Sequence, residues 1–156
     1  MSILQSDFTI LNKTRANVRK LVTSCSLEQL NKIPEGFSNN IMWNFGHIAI
    51  TQQLLCYKLS NTEMYVDNDL VQKYRKGSRP ASNSPASKEE YDTLMSLFDS
   101  TAELLQKDYE NNRFGEYKEY TTSYGTTLSN MEDAIKFNNV HEAMHLGQCI
   151  FLKKFV

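Results

Sequence analysis

Several kinds of protein are excluded by what this chain lacks. It has three cysteines, an odd number, and no two of them form a CxxC pair, so there is no disulfide framework to staple it. Reduced thiols and a cytoplasmic location are the simplest reading. No apolar run approaches the length of a membrane span, and MSILQSDFTILNKTR has no basic segment followed by an apolar one, so no secretory signal is expected. Charge of one sign is also missing. The 17 basic and 18 acidic residues leave a net charge of −1, and neither nucleic acid nor an anionic membrane surface is expected as a partner. There is no Gly-rich phosphate loop. At 156 residues the chain is long enough to bury a core as one domain, residues 1–156, without covalent help.

What is present has helical period. Phe8, Leu11, Val18, Leu21 and Val22 form one stripe over residues 5–24, with Lys13, Arg19 and Lys20 off it. Ser26 and Gln29 have the spacing of a capping box for a short helical turn before Pro34 and Gly36. Asn39 or Asn40 can cap a second long helix running to about Leu59. Residues 60–86 are polar and irregular, interrupted by a short helix near 67–74, and RKGSRPASNSPAS reads as a plain loop. Ser87 opens another capping box with Glu90, and the helix behind it carries Tyr91, Leu94, Phe98, Leu105 and Tyr109 to about Asn112. FGEYKEYTTSYGTTLSN is expected to be a long loop with a little extended structure, and a last helix starts near Ser129. Four long helices joined by long crossings predict an all-α four-helix bundle whose order is not simple up-down-up-down.

Histidine is scarce, and its placement is informative. HEAMH, residues 141–145, has the spacing of a zinc peptidase, and His141 and His145 lie one helical turn apart on the inward stripe of Ala134, Phe137, Asn138, Gln148 and Leu152. Zinc peptidases of this type take a third ligand downstream, yet LGQCIFLKKFV holds no histidine, aspartate or glutamate. No sheet is expected either, so nothing would hold an extended peptide. Cys149 lies one more turn along and reads as a small core hydrophobe. The third histidine, His47, shares a face of the second long helix with Trp43, Ile50, Thr51 and Leu54. Three imidazoles with one coordination position left open is the pattern of a catalytic metal site.

NIMWNFGHIAITQQLL together with HEAMHLGQCI resembles the DinB-like (DinB/YfiT) superfamily, whose pattern is W-x-x-G-H-I/L opening helix 2 and H-x-x-x-H-x-G-Q on helix 4. The resemblance covers essentially the whole chain. It implies a four-helix bundle holding a divalent metal, such as zinc, nickel, iron or manganese, on His47, His141 and His145, often as a homodimer. It also implies a small-molecule substrate. Family members include thiol-dependent transferases and isomerases using a low-molecular-weight thiol, others are classed as metal-dependent hydrolases, and some have no known reaction. A metal-dependent transferase or hydrolase is thus expected, with a non-catalytic metal- or ligand-binding stress-response bundle as the alternative.

Several other residues carry expectations. Glu142, about 60° around the helix from His145, is the candidate proton acceptor, with a solvated helix residue or pairing to a Lys or Arg on another element as the alternatives. Gln148, Asn44 and Thr51 are candidates to hydrogen-bond an imidazole or the substrate. Gly46 and Gly147, inside helices where glycine costs up to about 1 kcal/mol, predict close backbone packing. The last helix, apolar almost all round, is expected to be central in the bundle, with a share in a subunit interface as the alternative. Tyr109, Phe114, Tyr117, Tyr120 and Tyr124 are expected to pad a loop against the bundle, with lining of an access mouth as the alternative.

Overall fold

Five polar residues stand just ahead of apolar periodic stretches, and each accepts a backbone N–H that its helix leaves unpaired. Ser26 caps α2 (Leu27–Asn31), Asn40 caps α3 (Ile41–Gln52), Asp67 caps α4 (Asn68–Tyr74), Ser87 caps α5 (Lys88–Glu110) and Asn130 caps α6 (Met131–Leu152). The first helix, α1, spans Ile3–Thr23. These elements belong to a computed structural model that describes residues 3–156, so Met1 and Ser2, part of the stretch read for a leader, lie outside it. The box at Ser26 is complete, with Gln29 reaching back to the Ser26 N–H. At Ser87 only half of it forms, because Tyr74 Oη and Lys73 Nζ both donate to the Glu90 carboxylate.

The second long helix ends where its sequence predicts but is not uniform. After Gln52 the chain widens into a π-helical segment, Gln53–Tyr57, tightens through a 3₁₀ turn, Lys58–Ser60, and stops at Asn61 in the left-handed region. Gln52 and Gln53 are both fully buried at this junction. Gln52 Nε2 donates to the Thr101 carbonyl, and Gln53 Oε1 accepts the Tyr65 N–H. A short hairpin interrupts the expected long loop: β1 (Tyr120–Thr121) pairs antiparallel with β2 (Thr127–Leu128), turning through Gly125 at φ +91°. Leu128 anchors it in the core.

The four long helices form a bundle in which α6 packs on α1 and α3, and α5 packs on the same two. Consecutive long helices thus sit diagonally in two of three cases, so the order is not up-down-up-down. One core cluster gathers Val22, Met42, Phe45, Ile48, Leu94 and Phe98. A second, at the opposite end, gathers Phe8, Leu11, Tyr57, Leu105, Leu128 and Ile135. Among the described residues no helix is long and apolar enough to cross a membrane.

Two expectations for α6 are corrected. Gly147 has no neighbour within 4 Å of where a Cβ would stand, so close packing does not explain it. The helix is not buried all round either: Val140, Met144, Ile150 and Phe151 are each close to half exposed, because α1 and α3 cover only one side. Gly46 does meet close packing, since a Cβ there would collide with the Tyr74 ring.

Candidate metal centre

α3 and α6 lie side by side, so the one-turn spacing of His141 and His145 on α6 brings both imidazoles against His47 on α3. A ligand nitrogen from each of the three falls within 4.8 Å of the other two. Their orientations are set by partners that can only accept. The Tyr74 carbonyl, at the end of α4, accepts from His47 Nδ1 at 2.6 Å, which leaves the His47 Nε2 lone pair facing the cluster. Asn44 fixes His145 in the same sense. Its Nδ2 donates to the Asn40 carbonyl at 2.8 Å, so its Oδ1 must be what accepts from His145 Nδ1 at 2.7 Å. Trp43 stacks on the His47 ring with centroids 4.4 Å apart and planes at 13°, and its indole N–H donates to Ser78 Oγ.

His141 completes the set and gives the clearest test of whether a cation fits. Its Nε2 lies 3.2 Å from His47 Nε2, while its buried Nδ1 has no partner among the described residues. Either two lone pairs face each other, or the proton sits between them and Nδ1 is left an unpaired acceptor. Two imidazole nitrogens bound tetrahedrally at about 2.0–2.1 Å would stand roughly 3.3 Å apart. The observed spacing matches a shared cation. Burial, reinforced by the neighbouring imidazoles, pushes His141 down to about 2 and His145 to about 4, and burial also lowers His47 against the pull of the Tyr74 carbonyl. All three rings are therefore neutral at physiological pH, as metal ligation requires. Cys149 stays apart, packed in the core with its thiol pushed up to about 12 by burial.

The cluster opens onto a cavity of about 430 Å³ between α3, α6, the hairpin and the segment after α4. Trp43, Leu55, Phe137, Val140 and Met144 make much of its wall apolar, and Thr51, Thr122 and Ser123 bring hydroxyls. Tyr120 and Tyr124 stand at this cavity, whereas Tyr109, Phe114 and Tyr117 pad the second core cluster as expected.

Glu142 does not reach the cavity, which corrects its assignment as proton acceptor. It is fully buried on the flank of α6 that faces α1. Arg15 grips it through Nε and Nη2 at 3.1 and 2.8 Å, and Asn138 Nδ2 donates to it at 2.9 Å. Arg15 Nη1 in turn donates to the Phe98 carbonyl and to Thr101 Oγ1. The alternative reading, pairing with an Arg on another helix, is the one found. Gln148 is exposed and does not line the cavity. Of the polar candidates, Asn44 and Thr51 are at the site. Sequence reading missed the Tyr74 carbonyl, for which no side-chain signal exists, and the cavity-lining role of Lys76 and Gly77 in a stretch that reads as plain loop.

The sequence model of the DinB superfamily matches residues 10–149. No curated protein matches the chain. Among solved structures, the crystal structure of a conserved protein from Enterococcus faecalis superposes with a TM-score of 0.73 over 100% of this chain and 98% of the other, at 12% identity. At that identity the likeness speaks for the bundle fold alone.

Proposed function

The chain belongs to the DinB superfamily, and from that premise we propose that it holds one divalent metal ion on His47, His141 and His145 and transfers a small thiol to an electrophilic small molecule. The observation that carries this reading is the convergence of neutral imidazoles, two of them with Nε2 freed by a fixed hydrogen bond on Nδ1, at the wall of an open cavity. A bound divalent ion supplies Lewis acidity that favours thiolate over thiol. Around it, Asn44 and the Tyr74 carbonyl hold the ring protons on Nδ1, and the apolar wall limits water.

Thiol transfer needs no protein base, which suits what lines the cavity. Once Glu142 is tied to Arg15, no carboxylate is left there to take a proton from water. A thiol, with an ordinary pKa of about 8.5, can lose its proton to solvent without a protein base. Its sulfur then forms a bond to the electrophile, and the displaced group leaves with the electrons of the broken bond. The same lack of acid–base groups also suits a bundle that binds metal without turnover. The free cysteines fit a reducing compartment such as the cytoplasm.

The test is metal content per chain, measured by elemental mass spectrometry on tag-free protein. About one equivalent in the wild type, lost in His145→Ala, is the expected result. No metal after incubation with zinc, nickel or manganese would overturn the proposal. Turnover of an electrophile that depends on both added thiol and metal then separates transfer from binding alone.

A further inference from the structure

The segment after α4 carries charge of one sign only. From Leu70 to Lys88 the chain holds Lys73, Arg75, Lys76, Arg79 and Lys88, with neither aspartate nor glutamate, in a protein whose net charge is −1. Lys73 is paired with Glu90 and Lys88 with Asp92. Among the described residues no carboxylate pairs with Arg75, Lys76 or Arg79.

This segment is pinned to the histidine cluster at two points. The Tyr74 carbonyl accepts from His47, and Ser78 Oγ accepts from the Trp43 indole at 2.9 Å while donating to the carbonyls of Lys73 and Arg75. Between these anchors the chain turns through Gly77 at φ +88°, and Lys76 and Gly77 become part of the cavity wall. Among the described residues, and apart from the histidines, Lys76 is the only lining residue with an ionisable acidic or basic side chain other than tyrosine. Lys76 thus brings one positive charge to the wall of a largely apolar cavity, with no carboxylate paired to it among the described residues. Local low-dielectric walls strengthen the attraction of such a group for an anion.

We infer that the small molecule bound in this cavity carries a carboxylate, received by Lys76, at the end away from the atom that meets the three imidazoles. One lysine matches one negative charge, which favours a carboxylate over a phosphate dianion. The inference deepens the proposed function and rests on it, since it takes the histidine-lined cavity as the substrate site. Lys76 acts as a specificity residue and leaves the metal ligands alone. Arg75 and Arg79 add to the positive field that draws the anion in.

The experiment is calorimetric titration of zinc-loaded protein with three thiols of similar size: 3-mercaptopropionate, 2-mercaptoethanol and cysteamine, which are anionic, neutral and cationic. They differ in intrinsic thiol acidity, so the quantity read is how their affinity ratios change between wild type and variant. Lys76→Met should reduce the advantage of 3-mercaptopropionate over 2-mercaptoethanol by up to about fivefold, the upper end for an exposed ion pair. Lys76→Glu should turn the preference toward cysteamine. Added salt should shrink the wild-type ratio, since screening weakens exposed pairs. Unchanged ratios in both variants, with thiols still binding, would overturn this inference and leave the proposed function standing. Failure of all three thiols to bind the zinc-loaded wild type would overturn both. Lys76 is exposed, so neither substitution puts folding at stake.

Discussion

Asn44 decides where the proton of His145 sits. Its amide is oriented by the Asn40 carbonyl, so that only its oxygen faces the imidazole. Removing that acceptor in Asn44→Ala frees the ring to rotate and to change tautomer. Metal affinity should fall about 10- to 100-fold, as is usual when the partner of a ligating histidine is lost. Competition with a chromophoric chelator measures it, and an unchanged affinity would mean that packing alone orients the ring. Glu142 illustrates the opposite case. It is next in sequence to His141, yet it is committed to Arg15, and the two side chains are 0% and 5% exposed. Losing one partner of such a pair leaves a buried charge uncompensated. Its role is to fix how α6 lies against α1.

Between elements, the critical contact is α3 on α4. Gly46 lets the Tyr74 ring lie directly on the α3 backbone, and Tyr74 is held from the other side by Glu90. That close approach brings the Tyr74 carbonyl to His47. In Gly46→Ala the added methyl meets a buried ring that cannot swing aside. We expect a stability loss of about 1–3 kcal/mol, the usual range for overpacking, read from thermal or denaturant unfolding. Weaker metal binding should accompany it, because α4 must retreat. A variant of wild-type stability and affinity would show that α4 can move away from α3 without cost.

For the molecule as a whole, the three depressed imidazoles couple folding to pH. In the unfolded chain they titrate near 6.5. In the folded, metal-stripped protein they stay neutral to lower pH, His145 to about 4 and His141 to about 2. The stability involved is therefore complete above pH ~6.5 and is lost as pH falls, because the unfolded state takes up protons that the folded state refuses. The loss should approach roughly 1.4 kcal/mol per pH unit for each such imidazole. Melting temperatures of chelator-treated protein between pH 7 and pH 4, approximately the window set by these shifts, would test it, and a flat profile would contradict it. The half-exposed stripe of Val140, Met144, Ile150 and Phe151 has small residues, Ala143 and Gly147, at its middle. Such a stripe suits antiparallel pairing with the same helix of a second copy, large side chains meeting large ones across the small centre. Sedimentation velocity should give a dimer, and Phe151→Lys a monomer; a wild-type monomer would refute the pairing.

Helix existence and most boundaries were legible from caps and period, because a serine, aspartate or asparagine ahead of an apolar stripe satisfies a local need that distant packing rarely overrides. The three histidines were legible as well, since helical spacing and an inward stripe are local properties and no other histidine competes for the role. What the sequence left open depended on which faces meet. Glu142 lies beside His141 in sequence, and only the seating of α6 against α1 turned it toward Arg15 and away from the cavity. Gly46 and Gly147 look alike on paper, yet one lies under the Tyr74 ring and the other faces open space. A backbone carbonyl fixes His47, and a loop lysine enters the cavity wall, because the segment after α4 folds back on α3. Local chemistry thus determined the three candidate histidines and the helices that carry them. Tertiary packing decided their proton positions, the missing base and the single charge at the cavity, since each of these depends on contacts between residues far apart in the chain.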